Sequence, residues 1–164
     1  MKRLLLILLV LLSGCALSEV SEDGVYSNQW YSIDVPEGWI VAEAEDGRVL
    51  SLLSTGDDFV NIAVEVTETD LTLSEVWDDE KDRLERSEWW VATHPIQEQT
   101  TTLDSEFAYT IFYEYYLGQP LLAQGVVAVH DGNSFIVTLQ SVDGVFDSEY
   151  ATLEASLNSF EFNS

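Results

Sequence analysis

Residues 122–130 and 134–141 constrain this chain more than any other stretch, because both are apolar at odd and at even positions. Val126-Val127-Ala128-Val129 and Phe135-Ile136-Val137 place aliphatic or aromatic groups on both faces of a strand, where successive side chains point to opposite sides. A sheet wet on one face would alternate apolar with polar residues. Asp131-Gly132 lies between the two segments and is a strong hairpin signal. The sheet is therefore expected to be antiparallel, with helices covering both of its faces.

The rest of the chain supplies the other strands and the covers. Residues 30–35 alternate, and Pro36-Glu37-Gly38 turns the chain into Trp39-Ile40-Val41. Segments 48–54 and 59–67 are two further strands; Val60, Ile62, Val64 and Val66 share one face of the second at period two. Thr72-Leu73-Ser74-Glu75 has the spacing of a capping box, and Leu73, Val76, Trp77 and Leu84 form the apolar stripe of a helix that ends near Trp89-Trp90. Asp79 with Arg83 and Asp82 with Arg86 stand at the i, i+4 spacing, so the basic residues Lys81, Arg83 and Arg86 read as internal charge compensation. Segments 96–103 and 106–117 resume the sheet. A second helix follows, capped by Asp147 or Ser148 and buried along Tyr150, Leu153, Leu157 and Phe160, and residues 159–162 form a last strand. The order is four strands, helix, four strands, helix, strand. It predicts an α+β fold, an antiparallel sheet sandwiched between helices (α/β/α).

The N-terminus has a different character. Met1-Lys2-Arg3 precedes an unbroken apolar run over residues 4–12 and then small residues, the order of a secretory leader. The run falls well short of the about 20 apolar residues that span a bilayer. Leu12-Ser13-Gly14-Cys15 resembles the lipobox of bacterial lipoproteins, in which the cysteine becomes the first mature residue and carries diacylglycerol on sulfur. Cys15 is the single cysteine of the chain, and lipidation accounts for it without leaving an odd thiol. Residues 1–14 are thus expected to be a lipoprotein signal peptide, 15–25 a lipidated and acidic flexible tether, and 26–164 one domain. Two or more acyl chains hold a protein on a membrane stably, so the tether needs no basic patch. Ala16 stands where an Asp resembles an inner-membrane retention signal, which favours the outer membrane in an organism with two membranes.

Thirty acidic residues against six basic ones give a formal net charge of −24, and removal of Lys2 and Arg3 with the leader takes it to −26. Nucleic acid is excluded as a partner because such affinity comes from Lys and Arg on phosphates, and anionic lipid headgroups are excluded for the same reason. With 46% hydrophobic residues the chain is no disordered acidic tail. The acids are spread along the whole chain, which reads as solubility in a salty, halophilic setting rather than as one face for a cationic partner.

Tyr31-Ser32-Ile33-Asp34-Val35-Pro36-Glu37-Gly38-Trp39 at the start, Tyr109-Thr110-Ile111-Phe112-Tyr113-Glu114-Tyr115 in the middle and Ser159-Phe160 at the end resemble, at this spacing, the PsbP-like superfamily. Its members include the photosystem PsbP proteins and the bacterial lipoproteins DcrB and LpqN. The resemblance implies an antiparallel sheet between helices. It also implies a small binding or assembly module and no catalytic constellation. The long basic N-terminal region of plant PsbP is missing here.

The sequence holds no Gly-rich phosphate loop, no CxxC pair and no His-x-x-x-His. His94 precedes a proline after the first helix, and His130 flanks the Asp131-Gly132 turn. The clusters Glu43-Glu45-Asp46, Asp57-Asp58 and Asp78-Asp79-Glu80 lack the loop spacing of a Ca²⁺ site and read as solvated faces. No cofactor, catalytic residue or metal ligand is expected. Adjacent Trp89 and Trp90 cannot both point inward from a helix end, and the exposed one is a candidate contact for a partner. The function expected is that of a non-enzymatic surface lipoprotein that binds another envelope or secreted protein. The alternative is a small-ligand or divalent-cation domain with a pocket between sheet and helix.

Overall fold

A computed structural model describes residues 20–44, 46–56, 58–86, 97–116 and 118–163. Within them the chain order is β1 (Val25–Ser27), β2 (Tyr31–Asp34), β3 (Ile40–Glu43), β4 (Val49–Leu53), β5 (Val60–Glu68), α1 (Leu73–Arg86), β6 (Gln97–Leu103), β7 (Glu106–Tyr116), β8 (Pro120–His130), β9 (Asn133–Val142), α2 (Phe146–Asn158) and β10 (Glu161–Phe162). Seven strands form one antiparallel sheet in the order β3-β4-β5-β9-β8-β7-β6. The architecture is the predicted α+β sandwich.

The two-faced strands explain the layers. Val126, Ala128, Val137 and Leu139 join α2 through Phe146 and Leu153, and Val60, Ile62, Val64 and Val66 of β5 lie on that same side. Val127, one residue out of phase, packs with Ile111 against Val76, Trp77 and Leu84 of α1 on the opposite side. Asp131 (φ 45°) and Gly132 (φ 73°) make the β8–β9 turn with both central residues left-handed, as a two-residue hairpin of this twist requires.

The capping box of α1 forms as its spacing predicts: the Thr72 backbone N–H and hydroxyl donate to Glu75 Oε2 (2.8 and 2.7 Å), and the Glu75 N–H donates to the Thr72 hydroxyl (3.4 Å). The ion pairs on this helix differ in part. Arg86 pairs with Asp82, whereas Arg83 turns to Glu80 in place of Asp79. Glu80 lies on the buried stripe of the helix, where a carboxylate in lower dielectric draws the guanidinium more strongly than an exposed one.

Three further expectations change. Strand β2 leaves the large sheet and forms a second, three-stranded sheet with β1 and β10. The α2 helix starts at Phe146 with Val145 as N-cap and no side-chain cap; Ser148 donates its hydroxyl back to the Val145 carbonyl (2.7 Å) instead of capping. Residues 20–25, expected to be flexible tether, already belong to the fold. Val20 packs on the core, the Ser21 N–H donates to the Val25 carbonyl (3.0 Å), and the Val35 N–H donates to the Gly24 carbonyl (2.8 Å).

The small sheet seals the α2 side. Tyr31 stacks on Phe160 (5.0 Å between ring centroids) and meets Phe135 edge-on (6.4 Å). Its hydroxyl is buried with no hydrogen-bond partner among the described residues, and burial pushes its ionisation far above the usual phenol range. An unpaired buried hydroxyl is destabilising by about 1–3 kcal/mol. Tyr31→Phe is therefore expected to leave the ring stack intact and raise the denaturant midpoint. A lowered midpoint would place a bonding partner on that hydroxyl.

Candidate interaction surfaces

Cys15, Trp89, Trp90 and His94, the residues of the expected lipid anchor and partner contact among them, lie outside the described residues. His130 is placed against the small sheet. Its ring stacks on Phe162 of the small sheet (4.4 Å, 7° between planes), while Nδ1 and Nε2 stand 3.6 Å from Glu106 Oε1 and Asp131 Oδ2, beyond hydrogen-bond length. Of the acidic clusters, Asp78 takes Lys81 (2.9 Å) and Glu80 takes Arg83. Among the described residues no three His, Cys, Asp or Glu side chains come together as a metal site.

The α1 side presents two surfaces of different chemistry. The outer face of the helix is a mosaic of charge. Arg83 forks onto Glu80 with Nε–Oε2 2.6 Å and Nη2–Oε1 2.7 Å, a bidentate geometry that raises the guanidinium's affinity for its proton. Arg86 reaches Asp82 at 2.6 Å, and Asp79, Asp82, Arg83 and Arg86 line a shallow depression between them. Lys81 also lies 5.5 Å from the centre of the Trp77 ring, which stacks on Tyr109 at 5.2 Å. The Asp-Arg spacing in the sequence made this compensation readable, although it assigned one partner wrongly.

Beyond the helix, the same side of the sheet carries a hydrogen-bonded polar row that the linear sequence does not reveal. Tyr115 on β7 donates to Gln140 Oε1 on β9; Gln140 Nε2 donates to Asn61 Oδ1 on β5 (2.5 Å), and Asn61 Nδ2 to the Leu52 carbonyl on β4 (3.2 Å). Tyr113, two residues before Tyr115 on β7, lies against β8 where that strand has no side chain. Gly125 sits opposite Ile111 and Thr138, and a Cβ on it would stand 3.1 Å from Ile111 Cγ2 and 3.6 Å from Tyr113 Cε1. Burial pushes the Tyr115 phenol up to about 12 and raises Tyr113 further, so both stay neutral donors at any physiological pH. This row fastens four strands to one another. Its amide and phenol groups bond to one another and to the Leu52 carbonyl.

No family model matches the chain, and no curated protein matches it. Solved structures do. The cyanobacterial PsbP (CyanoP) of Synechocystis sp. PCC 6803 superposes with a TM-score of 0.63 at 18% identity over 90% of this chain and 97% of that one. The fold is PsbP-like. LpqN of Mycobacterium tuberculosis, a protein involved in cell envelope biogenesis, has it too: TM-score 0.59 at 15% identity, over 82% of this chain and 83% of LpqN. So does PA94 of Pseudomonas aeruginosa, with a TM-score of 0.57 at 11% identity over 90% and 96% of the two chains. At these identities the likeness concerns the backbone; the charge mosaic and the tyrosine–amide row are properties of this chain.

Proposed function

We propose that this protein is a non-enzymatic, lipid-anchored lipoprotein of the cell envelope whose PsbP-like domain binds another envelope or secreted protein. The observation that carries the reading is the conjunction of a PsbP-like domain, shared with LpqN and its envelope role, with Leu12-Ser13-Gly14-Cys15 directly before it. The leader sends the chain out of the cytoplasm, and Cys15 holds it on the membrane, the outer one where there are two. The partner is met by the domain and not by the anchor. Trp89 or Trp90, directly after the charge mosaic of α1, supplies the apolar centre of the contact, in the manner of tryptophan anchors at other interfaces.

Affinity capture with the mature domain from the organism's own envelope extract tests this. One defined protein retained through chelator and high salt, and lost with Trp89→Ala/Trp90→Ala, is the expected result. Retention of no protein, together with a small molecule or divalent cation that leaves on dialysis, would overturn it in favour of a ligand-binding domain.

A further inference from the structure

We propose that one end of the large sheet, the end where the tether enters, rests against the neutral lipid surface that holds the anchor. The contact is made by Ile40, Phe59 and Tyr116. This proposal rests on the lipidation of Cys15.

The tether is shorter than its composition suggests. Chain order begins no later than Val20, so only residues 16–19 separate the fold from Cys15, and five Cα steps reach at most about 18 Å. That limit is smaller than the domain, and it decides which end faces the bilayer. The turn of residues 21–24 bonds to Val35, and the adjoining β2–β3 turn accepts the Thr55 hydroxyl at the Gly38 carbonyl (3.1 Å). The tether therefore enters beside the β2–β3 and β4–β5 connections. Strand registers put the start of β3, β5 and β8 and the end of β4, β7 and β9 at this same end.

Three large apolar side chains stand out from it: Ile40 opening β3, Phe59 just before β5 and bonded to Val142, and Tyr116 closing β7, with exposures of 51%, 36% and 52%. Each is isolated, and singly exposed apolar residues need no partner. Their placement along the one edge that a short tether presses toward lipid is what distinguishes them. A tether of this length keeps the local lipid concentration high, so weak insertions by separate side chains add to a contact that free protein would not make. A tyrosine at such a border suits the headgroup level. The exposed carboxylates Glu22, Asp23, Glu37, Asp58 and Asp143 ring the same end, so the surface it fits is zwitterionic and not anionic. Val49, Leu71 and Phe107, the exposed apolar residues of the opposite end, face away from the membrane.

The test uses the full acylated protein on phosphatidylcholine vesicles. Cys15 is the single cysteine and its sulfur is consumed by lipid, so Phe59→Cys, Tyr116→Cys and, as the distal control, Phe107→Cys each offer one site for a nitroxide label. On floated vesicles the labels at 59 and 116 are expected to lose accessibility to a water-soluble nickel complex and gain accessibility to oxygen, while the label at 107 keeps its nickel accessibility. Equal nickel accessibility at all three positions on protein that floats with the vesicles overturns the contact and leaves the anchor standing. Failure of the acylated preparation to float removes the anchor, and the contact with it.

Discussion

Phe135→Ala is expected to lower the stability of the domain by about 3–5 kcal/mol, the range for deleting a buried phenyl ring and leaving a cavity. The ring is 1% exposed on β9 and is the joint between the two sheets. It meets Tyr31 of β2 edge-on at 6.4 Å, Phe160 at 6.0 Å and Phe162 of β10 at 4.8 Å. Neither sheet can collapse into the gap without breaking the Tyr31–Phe160 stack, so relaxation recovers little of the loss. Against a total of about 5–15 kcal/mol for a domain of ordinary stability, this is a large fraction. For a chain of this length it corresponds to a fall in Tm of roughly 6–20 °C. Phe107→Ala removes the same ring from an exposed position (55%) and should stay within about 0.5 kcal/mol of wild type. Thermal or chemical denaturation of the two variants side by side checks the claim. Similar values for both would mean that the small sheet is not held through Phe135.

The large sheet was legible because its determinants are local in the sequence. Apolar residues at both phases of 122–130 and 134–141 demanded two covered faces, and Val127 and Val126 do face different helices. The Thr72-to-Glu75 box was equally legible, since all its atoms lie within one turn. What escaped is non-local. Tyr31 and Ile33 alternate like the residues of any half-buried strand, and it is pairing with β1 and with Glu161 and Phe162 at the far end of the chain that places β2 in another sheet. Strand β1 is three residues long, too short for a period to register. The β6–β7 connection is also hidden, because Asp104 (φ 45°) and Ser105 (φ 68°) take left-handed conformations with no glycine to announce them. Asp104 accepts the Phe162 N–H at 2.9 Å, a contact between turn and small sheet that local pattern does not encode.

The same distinction holds for the surfaces. Charge pairing on α1 could be read from helical spacing, but choosing Glu80 over Asp79 for Arg83 required knowing which side of the helix is buried. The tyrosine–amide row joins residues 61, 115 and 140 across three strands, and no spacing rule links them. The stretch 16–24 reads as a flexible tether because Ser18, Glu19, Ser21, Glu22 and Asp23 make it polar and acidic. Backbone bonds from Ser21 and Val35 hold its second half to the fold all the same.

The account turns on Cys15. The proposed lipidation there would explain the lone cysteine, the apolar N-terminal run and the lack of any need for basic membrane contacts, and the loss of two or more acyl chains would remove what holds a protein stably on a bilayer. Cys15→Ser is expected to move essentially all of the protein from the membrane fraction to the soluble fraction, with an unchanged circular dichroism spectrum and melting profile because position 15 precedes Val20, the first residue of the described fold. The most direct measurement is the intact mass of the wild-type protein extracted from membranes with detergent. A chain beginning at Cys15 and heavier than its sequence by diacylglycerol is the predicted result. A membrane-bound chain with a free Cys15 thiol, or one that retains residues 1–14, would contradict it.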